Sequence, residues 1–282
     1  MGPGSSLRSS GTTAGRQPVF TTSVIARSEA IQSISAAALL DCFATLAMTM
    51  PGDLAINYRP KTTPRGPMPS YRLHYFPESG NSYKLALMLT LCGERFEPVW
   101  TDFGGGVTRT AEWRKAVNEM GEIPVLEVDG LKMTQTAPLL LKLAEQYGRF
   151  GADTEEEKFE LLRWLFWDNH KLTGYMATYR FMRAFTEKND PQVLKHFRRR
   201  LEDFLGILDG HLQHNAFAIG TRPTVADISM MAYLHYPSDE HGFDFATSHP
   251  AIHAWLGRMA ALPGWKPAYE LLPGKRMTNY AT

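Results

Sequence analysis

The stretch YFPESGNSYKLAL, residues 75–87, decides how the chain is read. It leaves an apolar run, crosses a knot of proline, glycine, hydroxyls and an amide, and enters a segment of good helix formers. YRLHYF (71–76) reads as a β-strand, PESGN (77–81) as a turn, and SYKLALMLTLCG (82–93) as a helix that stops at Gly93. That helix is apolar almost all round, so it has to be buried. The polar knot has two readings. Ser and Asn are preferred helix caps, and a hydroxyl at a helix start is also a donor where the helix dipole favours an anion.

Working outward, RFEPVW (95–100) is a second strand, with Pro98 suited to an edge. FGGGV is a loop and TAEWRKAVN a short amphipathic helix. IPVLEVDGLKMT (123–134) reads as a hairpin that Pro124 opens and Asp129-Gly130 turns. QTAPLLLKLAEQYG (135–148) is a helix with Thr136 as N-cap, Pro138 in the first turn and Gly148 past the end. The order β-α-β-α-β-β-α predicts a compact α/β sheet with helices against it over 69–150. From Gly151 the patterns are helical only, predicting an all-α bundle over 151–282. Thr154 with Glu157, and Thr224 with Asp227, stand at capping-box spacing. Asp190 and Pro191 open a long helix whose Val193, Leu194, Phe197, Leu201, Phe204, Leu205, Leu208 and Leu212 share one face.

The 282 residues carry 30 Lys and Arg against 29 Asp and Glu, a net charge of +1. So even a balance gives no long-range field for nucleic acid or an anionic membrane, and KHFRRR (195–200) reads as a solvated helix face. The two cysteines, Cys42 and Cys92, form no C-x-x-C pair or ligand cluster, which argues against a disulfide framework and a metal site. Residues 1–68 differ from the rest. Their Ser-, Thr-, Gly- and Arg-rich start shows no packing period, and the run AIQSISAAALLDCFATLAMTM has an apolar helical look that Asp41 interrupts, too short and mixed for a membrane span. They read as a disordered or spurious extension, with Met68 as an alternative start, or as a targeting segment. A cytoplasmic protein is the expectation.

With these elements in place, the chain from Tyr71 to Leu272 resembles the glutathione S-transferase superfamily. Four features carry the likeness: YFPESGNSYK at the strand–turn–helix; NEMGEIPVL (118–126), similar to the family's N-P-x-G-x-V-P-x-L; the Gln135-Thr136 pair before the third helix; and GTRPTVAD (220–227), its second-domain capping signature. The Ser/Asn knot is similar to a bacterial branch that includes the nu class. The resemblance implies a thioredoxin-like glutathione-binding domain and a helical substrate domain. It also implies glutathione as co-substrate without a metal, a small apolar electrophile as second substrate, and a homodimer.

The implied chemistry is physically modest. A thiol of pKa about 8.5 needs a shift of about 1.5 units, about 2 kcal/mol, to be half ionised at neutral pH. One hydrogen bond to a charged acceptor gives about 1.5–3 kcal/mol and a helix N-terminus about 0.3–1. Three groups compete for the sulfur: Ser79 with Asn81, as in the nu-like branch; Tyr75, at the strand end that carries a catalytic Tyr in other classes; and Ser82, which fits either pattern less well. Each has a plainer role, as helix cap or half-buried strand aromatic. By the resemblance, Ile123 precedes a cis Pro124 and offers its backbone to the peptide. Gln135 and Thr136 hold the γ-glutamyl carboxylate, and Asn118-Glu119 replaces the usual Asn-Pro. Tyr175 and Tyr179, four apart on one helix face, either line the second-substrate cleft or pack in the core. Trp164 and Trp167 read as core, Asp168 with His170 as a surface or structural pair, and Cys92 as an inert buried thiol. Two functions follow: thiolate attack on an electrophile or reduction of a disulfide or peroxide, and, in the other class, a non-catalytic binding module on the same fold.

Overall fold

The computed structural model describes residues 70–281; the readings of 1–68 lie outside them. Strand β1 (Tyr71–Tyr75) runs into helix α1 (Gly80–Leu91), then β2 (Phe96–Trp100), helix α2 (Ala111–Ala116), the hairpin β3 (Val125–Val128) and β4 (Leu131–Met133), and helix α3 (Thr136–Tyr147). The sheet order is β2-β1-β3-β4, with β1 parallel to β2 and antiparallel to β3. This is the mixed four-stranded sheet of a thioredoxin-like domain. Pro98 lies on the edge strand β2, where a missing N–H costs no ladder bond.

The second half is helical. Helix α4 (Glu155–Trp167) passes through one π-helical turn (Asp168–Leu172) into α5 (Thr173–Phe185). Helix α6 (Pro191–Leu212) follows, with Asp190 accepting from the Gln192 N–H as cap. Then come α7 (Val225–Met231), the short α8 (Ser238–His241) and α9 (Phe245–Ser248), α10 (Pro250–Ala260) and α11 (Ala268–Leu271). The Thr224/Asp227 capping box forms, and Asp227 also takes the Trp255 indole N–H at 2.9 Å. Thr154 caps α4 through the Glu157 N–H, but the Glu157 carboxylate reaches back to Asp153 N rather than to the cap itself.

The apolar helix read from the sequence is α1, and it is buried on all sides. Leu85, Leu87, Met88 and Leu89 are solvent-free between the sheet and the helices. Each such side chain contributes about 1.5–3 kcal/mol by leaving water. Lys84, the one charge in that run, is buried with them and reaches across to the helical half. Among the described residues no helix is long and apolar enough to cross a membrane.

Candidate functional site

The knot at residues 76–81 sits between β1 and α1 and is gripped from the helical half. Ser79 has extended backbone (φ −81°, ψ 105°) and its Oγ accepts the Ser82 N–H at 3.0 Å. The Tyr236 hydroxyl donates to the Pro77 carbonyl (2.8 Å), and Arg180 Nη1 donates to the Glu78 carbonyl (2.7 Å). The Tyr233 ring lies so close to Gly80 that any Cβ there would come within 2.5 Å of it. Glycine is required at this position by the approach of the two halves rather than by a turn.

Capping leaves the Ser79 proton unused. A hydroxyl holds one donor and two acceptor sites, and Ser79 accepts from Ser82 while its O–H remains available to an anion. Beside it, Asn81 Oδ1 and Ser82 Oγ are buried without a partner. Tyr75 is placed differently from its sequence reading. It is 2 % exposed, burial pushes its phenol up, and its hydroxyl donates to the Pro273 carbonyl instead of facing water. Glu78 is buried too, and burial pushes its carboxyl above the ordinary range despite the Met277 N–H and the nearby Arg276 and Arg180.

Of the residues that the resemblance assigns to glutathione, Ile123 and Pro124 lead into β3, and Gln135 and Thr136 begin α3. The Ile123–Pro124 bond is cis. Asn118 builds the approach to it, donating to the Glu122 carbonyl (2.9 Å) and accepting from Met120 N (3.1 Å), so the loop closes without the family's proline. The N-cap of α3 is Gln135, not Thr136, which is the first helical residue and is buried. Gln135 sits at φ 69°, ψ 112° and its side chain caps nothing; it donates to Glu122 Oε2 at 3.0 Å. A non-glycine residue in that backbone region is strained, and such strain collects at binding sites. The α3 N-terminus thus has no side-chain cap.

The apolar wall comes from residues the sequence did not single out. The Phe76 and Phe103 rings stack at 4.3 Å, and Phe181 of α5 meets Phe103 edge-on at 6.4 Å. Tyr175 and Tyr179 do share a face of α5, but that face packs inward. Tyr175 lies against Phe197 and Phe204, and Tyr179 against Phe243. Helical spacing correctly paired them and could not tell inward from outward; Phe181, two residues on, turns instead to Phe103. Arg180 was missed for a similar reason, since a buried arginine has no period of its own. Asp168 is buried on Lys84 while His170 is exposed, so they are not a pair. Burial pushes the Cys92 thiol up to about 11, which leaves it protonated and unreactive. Among the described residues no group of His, Cys, Asp or Glu gathers to hold a metal.

Residues 176–267 match the family model for the glutathione S-transferase C-terminal domain. The structure is similar to that of a glutathione S-transferase from Xanthobacter autotrophicus, with 29% identity, a TM-score of 0.63, and 71% of this chain and 97% of that chain covered. It also resembles, in fold, a glutathione transferase family member from Pseudomonas fluorescens solved with two glutathione bound (21% identity, TM-score 0.61, 72% and 92% covered). By sequence the chain is 22% identical over 196 residues to the Escherichia coli disulfide-bond oxidoreductase YfcG, covering 67% of this chain and 90% of that protein. In its fold, and in the match of residues 176–267 to the family's C-terminal domain, the chain is similar to the glutathione S-transferases.

Proposed function

We propose that this protein binds glutathione, stabilises its thiolate at Ser79 and Asn81, and uses it on a small apolar electrophile or in reduction of a disulfide. The observation that carries this is the division of labour in the knot. Ser79 caps with its oxygen and keeps its proton, with Asn81 beside it, whereas Tyr75 has already given its hydroxyl to Pro273. That arrangement supports the serine branch over the tyrosine one. The uncapped α3 terminus at Gln135 and Thr136 takes the γ-glutamyl carboxylate, and Ile123 before the cis proline takes the peptide backbone. The apolar partner lies against Phe76, Phe103 and Phe181. The likeness to a disulfide-bond oxidoreductase supports the reductive chemistry as a companion activity. The same reading makes the protein a cytoplasmic homodimer: Phe159, Leu162 and Phe166 form an exposed apolar stripe on α4, at 69%, 42% and 74% exposure, which calls for a cover.

The test is the ionisation of bound glutathione, followed by thiolate absorbance against pH. Ser79→Ala should raise the bound thiol's pKa by about 1–2 units, the worth of one hydrogen bond to a charge, and Tyr75→Phe should leave it in place. The opposite pattern moves the role to Tyr75. Conjugation of a chlorodinitrobenzene-type electrophile and reduction of a disulfide, run in parallel, separate the two activities, and turnover in neither leaves the binding-module function.

A further inference from the structure

Away from the candidate site, a cavity of about 410 Å³ opens in the helical half, between the turn that follows α7, the short helices α8 and α9, and α10. Small-molecule pockets commonly hold about 300–1,000 Å³, so the space suits a ligand of modest size. Four ring-bearing residues are in its lining, Tyr236, His241, Phe243 and Phe245, each at most 6% exposed. The Phe243 and Phe245 rings lie parallel with centres 5.8 Å apart, and the His241 ring meets Phe245 at 5.3 Å.

These rings are uncharged at neutral pH. Burial lowers the pKa of His241 to about 4 and does the same for His235, which also lines the cavity. Asp244 and His253, the other ionisable groups of the lining beside the tyrosine, are exposed. The Asp244 oxygens are already engaged, one with the Ala246 N–H at 3.2 Å and one with the Thr247 hydroxyl at 2.7 Å. Arg198, over the Phe243 ring at 3.7 Å, donates to the Gly242 carbonyl and does not line the cavity.

Part of the lining is kept small. Gly257 lies within α10, where glycine is less favourable than any residue but proline. No left-handed turn requires it, and a Cβ there would meet nothing within 4 Å. Its effect is to leave room, and Ala260, one turn on, and Ala246 of α9 do the same.

We propose that this cavity binds an uncharged aromatic molecule of one or two rings, and that the occupant steadies the 76–81 loop through Tyr236. The class follows from the lining. Aromatic side chains favour a flat ring set against their faces and edges, and walls without charge give a buried ion nothing to pair with. Tyr236 is the link because it lines the cavity while its hydroxyl donates to the Pro77 carbonyl at 2.8 Å. The site needs no glutathione and stands apart from the roles of Ser79 and Asn81.

The test uses 2-naphthol, followed by its own fluorescence, and naphthalene-2-sulfonate as a charged counterpart on the same ring. The full chain should bind the naphthol at least tenfold more tightly than the sulfonate. Gly257→Leu and Ala246→Leu each add a side chain at the cavity and should weaken the naphthol at least tenfold. Ala246 is exposed, so its variant reads the site even where Gly257→Leu does not fold. Loss of affinity in either supports the site, and unchanged affinity in both overturns it. Equal affinity for naphthol and sulfonate overturns the ligand class. Affinity that falls as the protein concentration rises means that a second copy covers the groove, and overturns a small-molecule occupant. The link is read by hydrogen exchange at the Ser79 and Ser82 amides, which the Phe76 carbonyl and Ser79 Oγ hold. Naphthol should slow both several-fold in wild type and neither in Tyr236→Phe, which keeps the ring and loses the hydroxyl. Equal slowing in the two overturns the link. Glutathione is absent throughout, so a failure to bind glutathione removes the proposed function and leaves this site standing.

Discussion

Two clusters of buried charge join the sheet half of the chain to its helices, one closed and one open. In the first, Lys84 of α1 donates to Asp168 Oδ2 and to the Thr173 hydroxyl, both at 3.0 Å. Thr173 in turn donates to Asp168 Oδ1 (2.8 Å), and Ser229 to Oδ2 (2.6 Å). Lys84 and Asp168 are 1% and 0% exposed at their side chains, and no polar atom of the cluster is left over. The second joins Arg180 to Glu240 Oε2 through Nε at 2.9 Å and to the Glu78 carbonyl, with Tyr269 on Glu240 Oε1 at 2.7 Å. There, Glu78 Oε2 has no partner and Arg276 is half in solvent. The same chemistry has been finished in one place and left unfinished in the other. The unfinished one adjoins Ser79 in the chain.

Breaking the closed cluster should therefore be the more costly to the fold and the less costly to the site. Asp168→Ala strands the Lys84 ammonium in a dry interior, and an uncompensated buried charge costs about 3–5 kcal/mol. Urea denaturation should show that loss, while the pKa of bound glutathione stays put in the folded fraction. Replacing both partners, Lys84→Met with Asp168→Leu, should recover most of the stability, because an apolar pair of similar volume needs no compensation. A loss below about 1 kcal/mol for Asp168→Ala would show that the cluster is not sealed, and the contrast would fall.

The open cluster should answer in the other order. Arg180→Met removes a partner of Glu240, but Tyr269 and Arg276 still serve that carboxylate, so the loss of stability should be smaller, about 2–3 kcal/mol. The functional loss should be larger than for Asp168→Ala, because Arg180 also holds the Glu78 carbonyl, and its guanidinium lies 3.6 Å from the Tyr236 ring centre. A bound-thiol pKa unchanged by Arg180→Met would separate the cluster from the site.

How much of this the sequence disclosed follows from what each feature depends on. The strand–turn–helix at 71–91, the hairpin around Asp129-Gly130 and the helix that Asp190 and Pro191 open rest on local rules of period, turn and cap, and they stand in the structure within a residue or two. Ser79 was legible for the same reason, since it caps. Thr136 was assigned the cap because threonine is the commoner capping type; the structure gives that place to Gln135, in a backbone conformation that local preference disfavours. Lys84, Arg180 and Glu240 were invisible as a class. Lys84 and Arg180 are charges in largely apolar runs and Glu240 is one polar residue among four, and each has its partner 60 or more residues away along the chain. The C-terminal segment at 273–281 has no period or cap to announce it, and only contacts with Tyr75, Glu78 and Trp100 give it meaning.

Acid should distinguish the two clusters with the smallest effect of the three. His241 of α8 is buried, its Nδ1 accepts the Phe243 N–H at 3.1 Å, and its Nε2 therefore carries the proton donated to the Tyr236 carbonyl at 3.0 Å. Burial, aided by Arg180, lowers its pKa to about 4. Between about 6.5 and 4 the unfolded chain binds a proton at this ring and the folded chain does not. The contribution of His241 is thus fully present above about pH 6.5, shrinks as the pH falls, and is gone near 4. From pH 7 to pH 5 it should amount to about 1–2 kcal/mol. His235, also lowered to about 4 by burial, adds a loss of the same sign. His241→Asn should flatten the fall without abolishing it, in urea denaturation series at the two pH values. Because Tyr236 passes the strain on to the Pro77 carbonyl, acid should speed amide exchange in the 76–81 loop before it speeds exchange around Asp168. Loosening of both clusters together would mean that they unfold as one unit, and that the open cluster has no mobility of its own to offer a ligand.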